Sequence, residues 1–232
     1  MRGTNASHKR LAVQLCGIFV AAEKSNFEFR VKELLPEIVK LLDQIHNDSE
    51  DREDRDADLL LIQTLYTIIK MAQHCPAGLQ NEDNIDAAHE MWGKIIHHLV
   101  HPHLWIRTLS SRLVGTLLGW HKPDEVSTYI TKPSEEVART YIFCSDVSKR
   151  LRSMARDLVT QLQTEKLDNQ LADQVVKNLV FIGKIANRVS SSGIEENTKI
   201  KAPTIAWMTS KLRREVNAEV VLNSTSPTKV NQ

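Results

Sequence analysis

The chain has 232 residues, of which 41% are hydrophobic and 25% charged, an ordinary composition for a globular protein. Its 8 glycines and 7 prolines are too few for the many turns of a β-sandwich or β-barrel, and a net charge of +1 excludes a histone-like polycation. The charge is divided unevenly, because residues 1–100 carry a net −5 and residues 101–232 a net +6. This asymmetry predicts an acidic or nucleic-acid partner for the second half.

The first apolar run, residues 11–22, follows basic residues and in that respect imitates a signal peptide. Gln14 interrupts the run, however, and its apolar residues keep the spacing of a helix face: Leu11, Leu15, Ile18 and Ala22. We therefore expect an amphipathic core helix here rather than a secretion signal. No apolar run is long enough to span a bilayer.

Helical periodicity dominates the rest of the chain, and no strand with clean alternation is found. The predicted helices span 8–24 (capped by Ser7), 27–46, 58–74, 85–100, 104–120, 134–141, 146–163, 169–189 and 203–220. Pro36 either kinks the second helix or restarts it in a new first turn. The predicted irregular segments are an acidic loop at 47–58, a loop at 75–84, a polar linker at 190–201 and a disordered tail at 221–232.

This pattern predicts an all-α fold, with residues 1–220 forming one helical repeat segment. Periodicity alone leaves open whether the helices form a closed bundle or an open stack. Their number, their similar lengths and their broad apolar faces favour a HEAT-like α-solenoid of stacked antiparallel helix pairs.

A more specific pattern surrounds the junction between the helices at 85–100 and 104–120. Pro102 is expected to start the second of these helices, whose buried stripe would contain Leu109, Leu113 and Leu117. Trp105 either plugs the junction or faces a partner. The residues that form the pattern are His101, Pro102, His103, Trp105, Arg107, Arg112, Leu113 and Gly115.

This HPHxWxR…SRLxG pattern resembles the HEAT-repeat family of U3 small nucleolar RNA-associated protein 20, also called the down-regulated-in-metastasis family. Residues 174–181 and 205–212 are similar to the same family, in the same order. The resemblance implies a nuclear, nucleolar component of the small-subunit processome whose partners are processome proteins, the U3 snoRNP and pre-rRNA. Family members are far longer, so it also implies a segment from their C-terminal region. The basic tail typical of the family is absent.

Histidines at 97, 98, 101 and 103 raise the question of a metal site, since His97 and His101 are spaced to share a helix face. Pro102 ends the helix at that point, and no cysteine is near. We favour a structural turn in which the imidazoles satisfy free backbone groups at the helix ends. No metal or cofactor is predicted.

Catalytic signatures are missing from the sequence, which has no GxSxG, P-loop, GxGxxG or HExxH motif. The three cysteines, Cys16, Cys75 and Cys144, are widely spaced and form no CxxC pair, which favours a reducing compartment. Cys144 is expected to be a buried or half-buried thiol rather than a nucleophile. The sequence therefore predicts a protein that is not an enzyme.

Cations lie opposite the apolar stripes of the predicted helices 146–163 and 169–189, and further cations lie on the predicted helix 203–220. One such stripe is explained by an ordinary solvated face, but three on consecutive helices favour a ridge that contacts RNA phosphates. No aromatic residue is interleaved with them, so base stacking is not predicted. The candidate RNA- or anion-facing residues are Lys149, Arg152, Arg156, Lys177, Lys184, Arg188, Lys211, Arg213 and Arg214.

Taken with the resemblance, these patterns favour a non-enzymatic scaffold of the small-subunit processome that supports pre-18S rRNA processing and 40S subunit biogenesis. No membrane and no small-molecule substrate are expected among its partners. The alternatives are a generic HEAT-type adaptor that binds only protein, and a small helical enzyme or metalloprotein built around the histidines.

Overall fold

The computed structural model of the protein describes residues 2–49, 55–131, 147–164 and 167–191. Every regular element in these ranges is helical, which confirms the all-α prediction. The α-helices are α1 (Arg2–Glu23), α2 (Val31–Ser49), α3 (Arg55–His74), α4 (Pro76–Leu79), α5 (Ile85–His97), α6 (Leu104–Gly119), α7 (Pro123–Thr131), α8 (Val147–Leu162) and α9 (Asn169–Ser191). Short 3₁₀ helices are Lys24–Arg30, Glu82–Asn84 and His98–Val100. Within the described ranges no helix is both long and apolar enough to cross a membrane.

Several predicted boundaries are wrong at the polar ends of helices. Because α1 begins at Arg2, Ser7 lies inside it and is not its N-cap, and because α2 begins at Val31, no restart occurs at Pro36. In the acidic loop predicted at 47–58, residues 47–49 belong to α2 and residues 55–58 to α3, and residues 50–54 lie outside the described residues. Asp56 and Asp58 stand in the first turn of α3, where carboxylates stabilise the positive end of the helix dipole.

Two further corrections concern segments that were predicted to be irregular. The loop at 75–84 contains α4 and a 3₁₀ turn, and α9 extends into the predicted linker as far as Ser191. Burial of Val189 anchors the last turns of α9 against the core. Helix α7 was not predicted. The predicted helices at 134–141 and 203–220, the rest of the linker and the tail at 221–232 lie outside the described residues.

The described helices pack in two layers around a largely aliphatic core. In layer one, α1 packs against α3, α3 against α6, and α6 against α9. In layer two, α2 packs against α5, and the 3₁₀ turn that follows α5 packs against α8. The layers are joined by α2 with α3, α5 with α6, and α8 with α9, while α7 packs on α9. Each layer-two helix thus lies against a helix of layer one.

Helix α1 faces the core with Gly17 and Val20 rather than with its largest side chains. Gly17 is buried, and a Cβ there would lie 2.8 Å from Thr67 Oγ1, so glycine permits the close approach of α3. The Thr67 hydroxyl donates a hydrogen bond to the Val13 carbonyl at 3.0 Å. The predicted core stripe of α1 is therefore wrong. Its large side chains are exposed: Leu11, Leu15, Ile18 and Phe19.

Helix α6 is the central helix of layer one, and the stripe predicted for it is buried. Leu109, Leu113 and Leu117 are all fully inaccessible to solvent. Helix α9 approaches α6 closely at Gly115, where a Cβ would lie 2.3 Å from Gln174 Nε2 and 2.8 Å from Asn178 Oδ1. Asn178 is buried and donates to the Ser111 carbonyl at 2.8 Å, so a polar contact joins the two helices beside the apolar core.

We expect Leu113→Ala to lower the free energy of unfolding by about 2–5 kcal/mol, because it leaves a cavity at a fully buried position. Chemical denaturation followed by circular dichroism measures this loss. Leu11→Ala is the matched control, since the same change at an exposed site removes little packing. Equal effects at the two positions would contradict the packing described for α6.

Candidate interaction surfaces

The junction between α5 and α6 is built by two imidazoles. His101 Nδ1 accepts a hydrogen bond from the His103 backbone N–H at 3.1 Å. His103 is the N-cap of α6, and its Nδ1 accepts from the Trp105 N–H at 3.2 Å. The side chains thereby satisfy N–H groups that a helix start leaves without an intrahelical partner. Trp105 itself lies exposed on α6 and does not plug the junction.

Arg107 fixes the same turn from inside. Its side chain is only 5% exposed, and its Nη1 donates to the His101 and Pro102 carbonyls, both at 2.9 Å. A buried charge is tolerated when it is hydrogen-bonded, and here one guanidinium satisfies two carbonyls of the turn. The arginine and histidines of the motif therefore act together in the turn, whereas Arg112 is exposed on α6.

The histidine side chains around this junction form a cluster that brings together α2, α3 and α5. The His46 and His97 rings are 5.5 Å apart, the His98 and His101 rings are 5.7 Å apart, and His101 Nε2 lies 3.7 Å from Asp58 Oδ1. Burial, together with the neighbouring imidazoles, lowers the pKa of His98 to about 4. Among the described residues, no three His, Cys, Asp or Glu side chains are arranged to hold a metal ion.

Of the cysteines in the described ranges, Cys75 is held as a neutral thiol. Cys75 is buried, its Sγ donates to the Lys24 carbonyl at 3.3 Å, and burial with nearby Glu28 raises the pKa of its thiol to about 11. A thiol held protonated in this way is poorly reactive. Cys16 is half-buried, and Cys144 lies outside the described residues.

The predicted basic stripe of α8 is exposed along its length. Lys149, Arg152 and Arg156 are all solvent-accessible, while Leu151, Met154 and Leu158 on the opposite side are buried. Arg152 Nε also donates to the Ser148 carbonyl at 3.3 Å, which holds its stem along the helix. Three cations therefore lie on the outer surface of layer two.

The basic residues of α9 do not continue that stripe. Lys177 and Lys184 are exposed on α9, a helix of layer one, whereas the α8 cations lie on a helix of layer two. Arg188 forms an ion pair with Asp124 of α7. Lys211, Arg213 and Arg214 lie outside the described residues. The structure thus brings Lys149, Arg152 and Arg156 together and separates them from the α9 cations.

A further feature of layer one was not predicted from the sequence. A cleft of about 250 Å³ is lined by side chains of three helices: Ile69, Gln73, Arg112, Gly115, Thr116 and Gln174. No local pattern indicates it, because α3, α6 and α9 each contribute only a few residues that are far apart in sequence. Only Arg112 and Gly115 had been singled out, as parts of the HPHxWxR…SRLxG pattern.

Comparison with protein families gives a match over nearly the whole chain. The family described as small subunit processome component 20 homolog, C-terminal, matches residues 8–231. The chain belongs to this family. No solved structure gave a significant match. Membership of the component 20 family confirms the resemblance drawn from the motif and associates the chain with the small-subunit processome, and so with the nucleus.

For this family member we expect acid to destabilise the fold through His98. Its folded-state pKa of about 4 lies below the ordinary value of 6.5, so the unfolded chain takes up the proton first as the pH falls. The stabilisation is complete above pH 6.5 and is lost progressively towards pH 4, by up to about 3 kcal/mol. Chemical denaturation at a series of pH values should show a shallower dependence in His98→Gln. Identical pH dependence in the two proteins would contradict the assignment.

Proposed function

We propose that the chain is a non-enzymatic scaffold segment of the small-subunit processome that supports pre-18S rRNA processing and 40S subunit biogenesis in the nucleolus. The observation that carries this proposal is the family match over residues 8–231. In this proposal residues 1–220 form one HEAT-like solenoid segment that holds processome proteins, the U3 snoRNP and pre-rRNA in fixed relation.

The packing of the described helices supports a scaffold role. Helices that contact their neighbours in two layers present long surfaces whose shape is set by the core between them. The cations on α8 are exposed on the surface, and the histidines of the α5–α6 turn hydrogen-bond to the backbone. Both features suit a scaffold better than a reaction centre. A scaffold requires positions held rigidly, and the buried polar contacts of α6 supply that rigidity.

We further propose that the outer surface of α8 contacts RNA phosphates through Lys149, Arg152 and Arg156. All three side chains are exposed on one side of a single helix, where they can reach a phosphate backbone without competing with the core. Arg188 lies on α9, where it pairs with Asp124 of α7, and is not part of this group of three. Lys177 and Lys184 would face a different part of the assembly.

The scaffold proposal makes a prediction for the tagged chain expressed in eukaryotic cells. The chain should co-sediment with small-subunit precursor particles that contain U3 RNA. Sucrose-gradient fractionation with hybridisation for U3 RNA measures this. The Leu113→Ala variant is the control for folding, since loss of the core contact should release the chain to the light fractions. A folded wild-type chain found only in the light fractions would contradict the proposal.

The RNA-contact proposal predicts that changing Lys149, Arg152 and Arg156 to Ala weakens RNA retention similarly for different RNA sequences. It should also flatten the dependence of binding on salt, by roughly 0.7–0.9 units of log–log slope per lost contact. Filter binding of single-stranded RNA across a salt series measures both effects. Each exposed change should alter stability by less than about 0.5 kcal/mol.

The matched control for this experiment changes Lys177 and Lys184 on α9 to Ala, which removes exposed cations from the other layer. Equal weakening by both sets would indicate non-specific attraction and contradict the assignment to α8. Unchanged RNA binding accompanied by lost protein contacts would favour the alternative, a HEAT-type adaptor that binds only protein.

A further inference from the structure

Helices α3 and α6 lie side by side and run in the same direction, which aligns two rows of exposed residues. Asp58, in the first turn of α3, lies 3.7 Å from His101 just before α6, and further along both helices Gln73 and Arg112 line the same cleft. The cleft thus lies beside the C-terminal halves of α3 and α6. The N-terminal halves of both helices extend away from the same end of the cleft.

Each of these helices presents a row of residues spaced by seven, which fall on one side because seven residues make almost two turns. On α3 the row is Leu59, Tyr66 and Gln73, and on α6 it is Trp105 and Arg112. Trp105 is 55% exposed and Tyr66 38% exposed. Each row therefore begins at an exposed apolar side chain and ends at a polar group of the cleft. We call the surface formed by the two rows and Gln174 the α3–α6 face.

The polar wall of the cleft is held in place before any partner arrives. Gln174 Nε2 donates to Asn178 Oδ1 at 3.0 Å, and the buried Asn178 donates in turn to the Ser111 carbonyl. Gly115 leaves the space in which the Gln174 amide lies. This chain of hydrogen bonds orients the Gln174 amide, which reduces the entropy that binding would otherwise cost.

The positive charge of Arg112 favours a negatively charged ligand in the cleft. Among the described residues that line the cleft it is the only charged one, and within the described part of the chain its guanidinium has no ion-pair partner. A single cation is suited to one carboxylate, whereas an RNA strand would require several cations for its successive phosphates. Tryptophan, tyrosine and arginine together are also the residues that most often dominate the affinity of protein–protein contacts.

We propose that the α3–α6 face binds an extended acidic peptide segment of a partner protein. An Asp or Glu carboxylate of the segment pairs with Arg112, the Gln73 and Gln174 amides bond to its backbone, and an apolar side chain packs on Trp105 and Tyr66. This surface lies on layer one, away from the α8 cations, so it adds a protein-binding face to the scaffold and does not depend on RNA contact at α8.

The test is selection from a phage-displayed library of random dodecapeptides on the immobilised 232-residue chain and on its Arg112→Glu variant. The wild-type chain should enrich peptides that combine Asp or Glu with an aromatic or aliphatic residue. The Arg112→Glu variant should instead enrich peptides with Lys or Arg, because the charge of the cleft is reversed. Arg152→Glu on α8 is the matched control and should select the same peptides as the wild type.

The enriched acidic peptide, labelled with fluorescein, is then measured by fluorescence polarisation. Arg112→Ala and Trp105→Ala should each weaken binding about tenfold or more while leaving the melting curve unchanged. A second peptide has each Asp replaced by Asn and each Glu by Gln. Compared with the acidic peptide, it should bind the wild-type chain less tightly, whereas the two peptides should bind Arg112→Ala equally.

Three results would overturn the proposal. The first is a selection that yields no sequence whose enrichment depends on the charge at residue 112. The second is a poly(U) strand that displaces the labelled peptide from the wild-type chain and binds Arg112→Ala less tightly, which would assign the face to RNA. Loss of stability in Trp105→Ala would show that the indole supports the fold rather than a partner.

Discussion

The buried guanidinium of Arg107 stabilises the turn between α5 and α6, where the chain passes from layer two to layer one. Its two hydrogen bonds to the His101 and Pro102 carbonyls fix the turn that leads from the 3₁₀ helix His98–Val100 into α6. Since a desolvated charge is costly unless its donors are used, this turn geometry and the burial of Arg107 stabilise each other. The direction in which α6 leaves the turn sets the contacts that α6 makes with α3 and α9.

The contacts on the far side of α6 depend on that direction. With α6 in place, Gly115 lies beneath the Gln174 amide, and Asn178 reaches the Ser111 carbonyl. The outer surface of layer one, which carries Trp105 and Arg112, and the outer surface of layer two, which carries the α8 cations, then point in different directions. The two proposed functions, protein contact and RNA contact, use different helices in different layers and need not compete for space.

Periodicity predicted most of this fold because most of the long helices bury one clear apolar side. The helices at 104–120, 146–163 and 169–189 begin and end within two residues of α6, α8 and α9. Helix α1 was misread because its exposed side is more hydrophobic than its buried side, and close approach at Gly17 leaves no signal in hydropathy. Helix α7 was overlooked, although Pro123 followed by Asp124 and Glu125 is a typical helix start.

The candidate sites were less predictable, since they depend on which helices are neighbours. Angular spacing correctly placed Lys149, Arg152 and Arg156 on one exposed side of α8. It could not show that Arg188 is paired with Asp124 of α7. Nor could it bring Gln73, Arg112 and Gln174 together, because their contact requires three helices that are distant in sequence.

The exposed leucine, isoleucine and phenylalanine side chains of α1 have a thermodynamic consequence for the whole chain. They leave apolar area in water at one edge of layer one, and that area contributes nothing to folding until something covers it. Anything that binds the folded but not the unfolded chain through this edge raises the apparent stability by mass action. The melting temperature of this protein should therefore depend on whether another molecule covers the exposed side of α1, and on how tightly it binds.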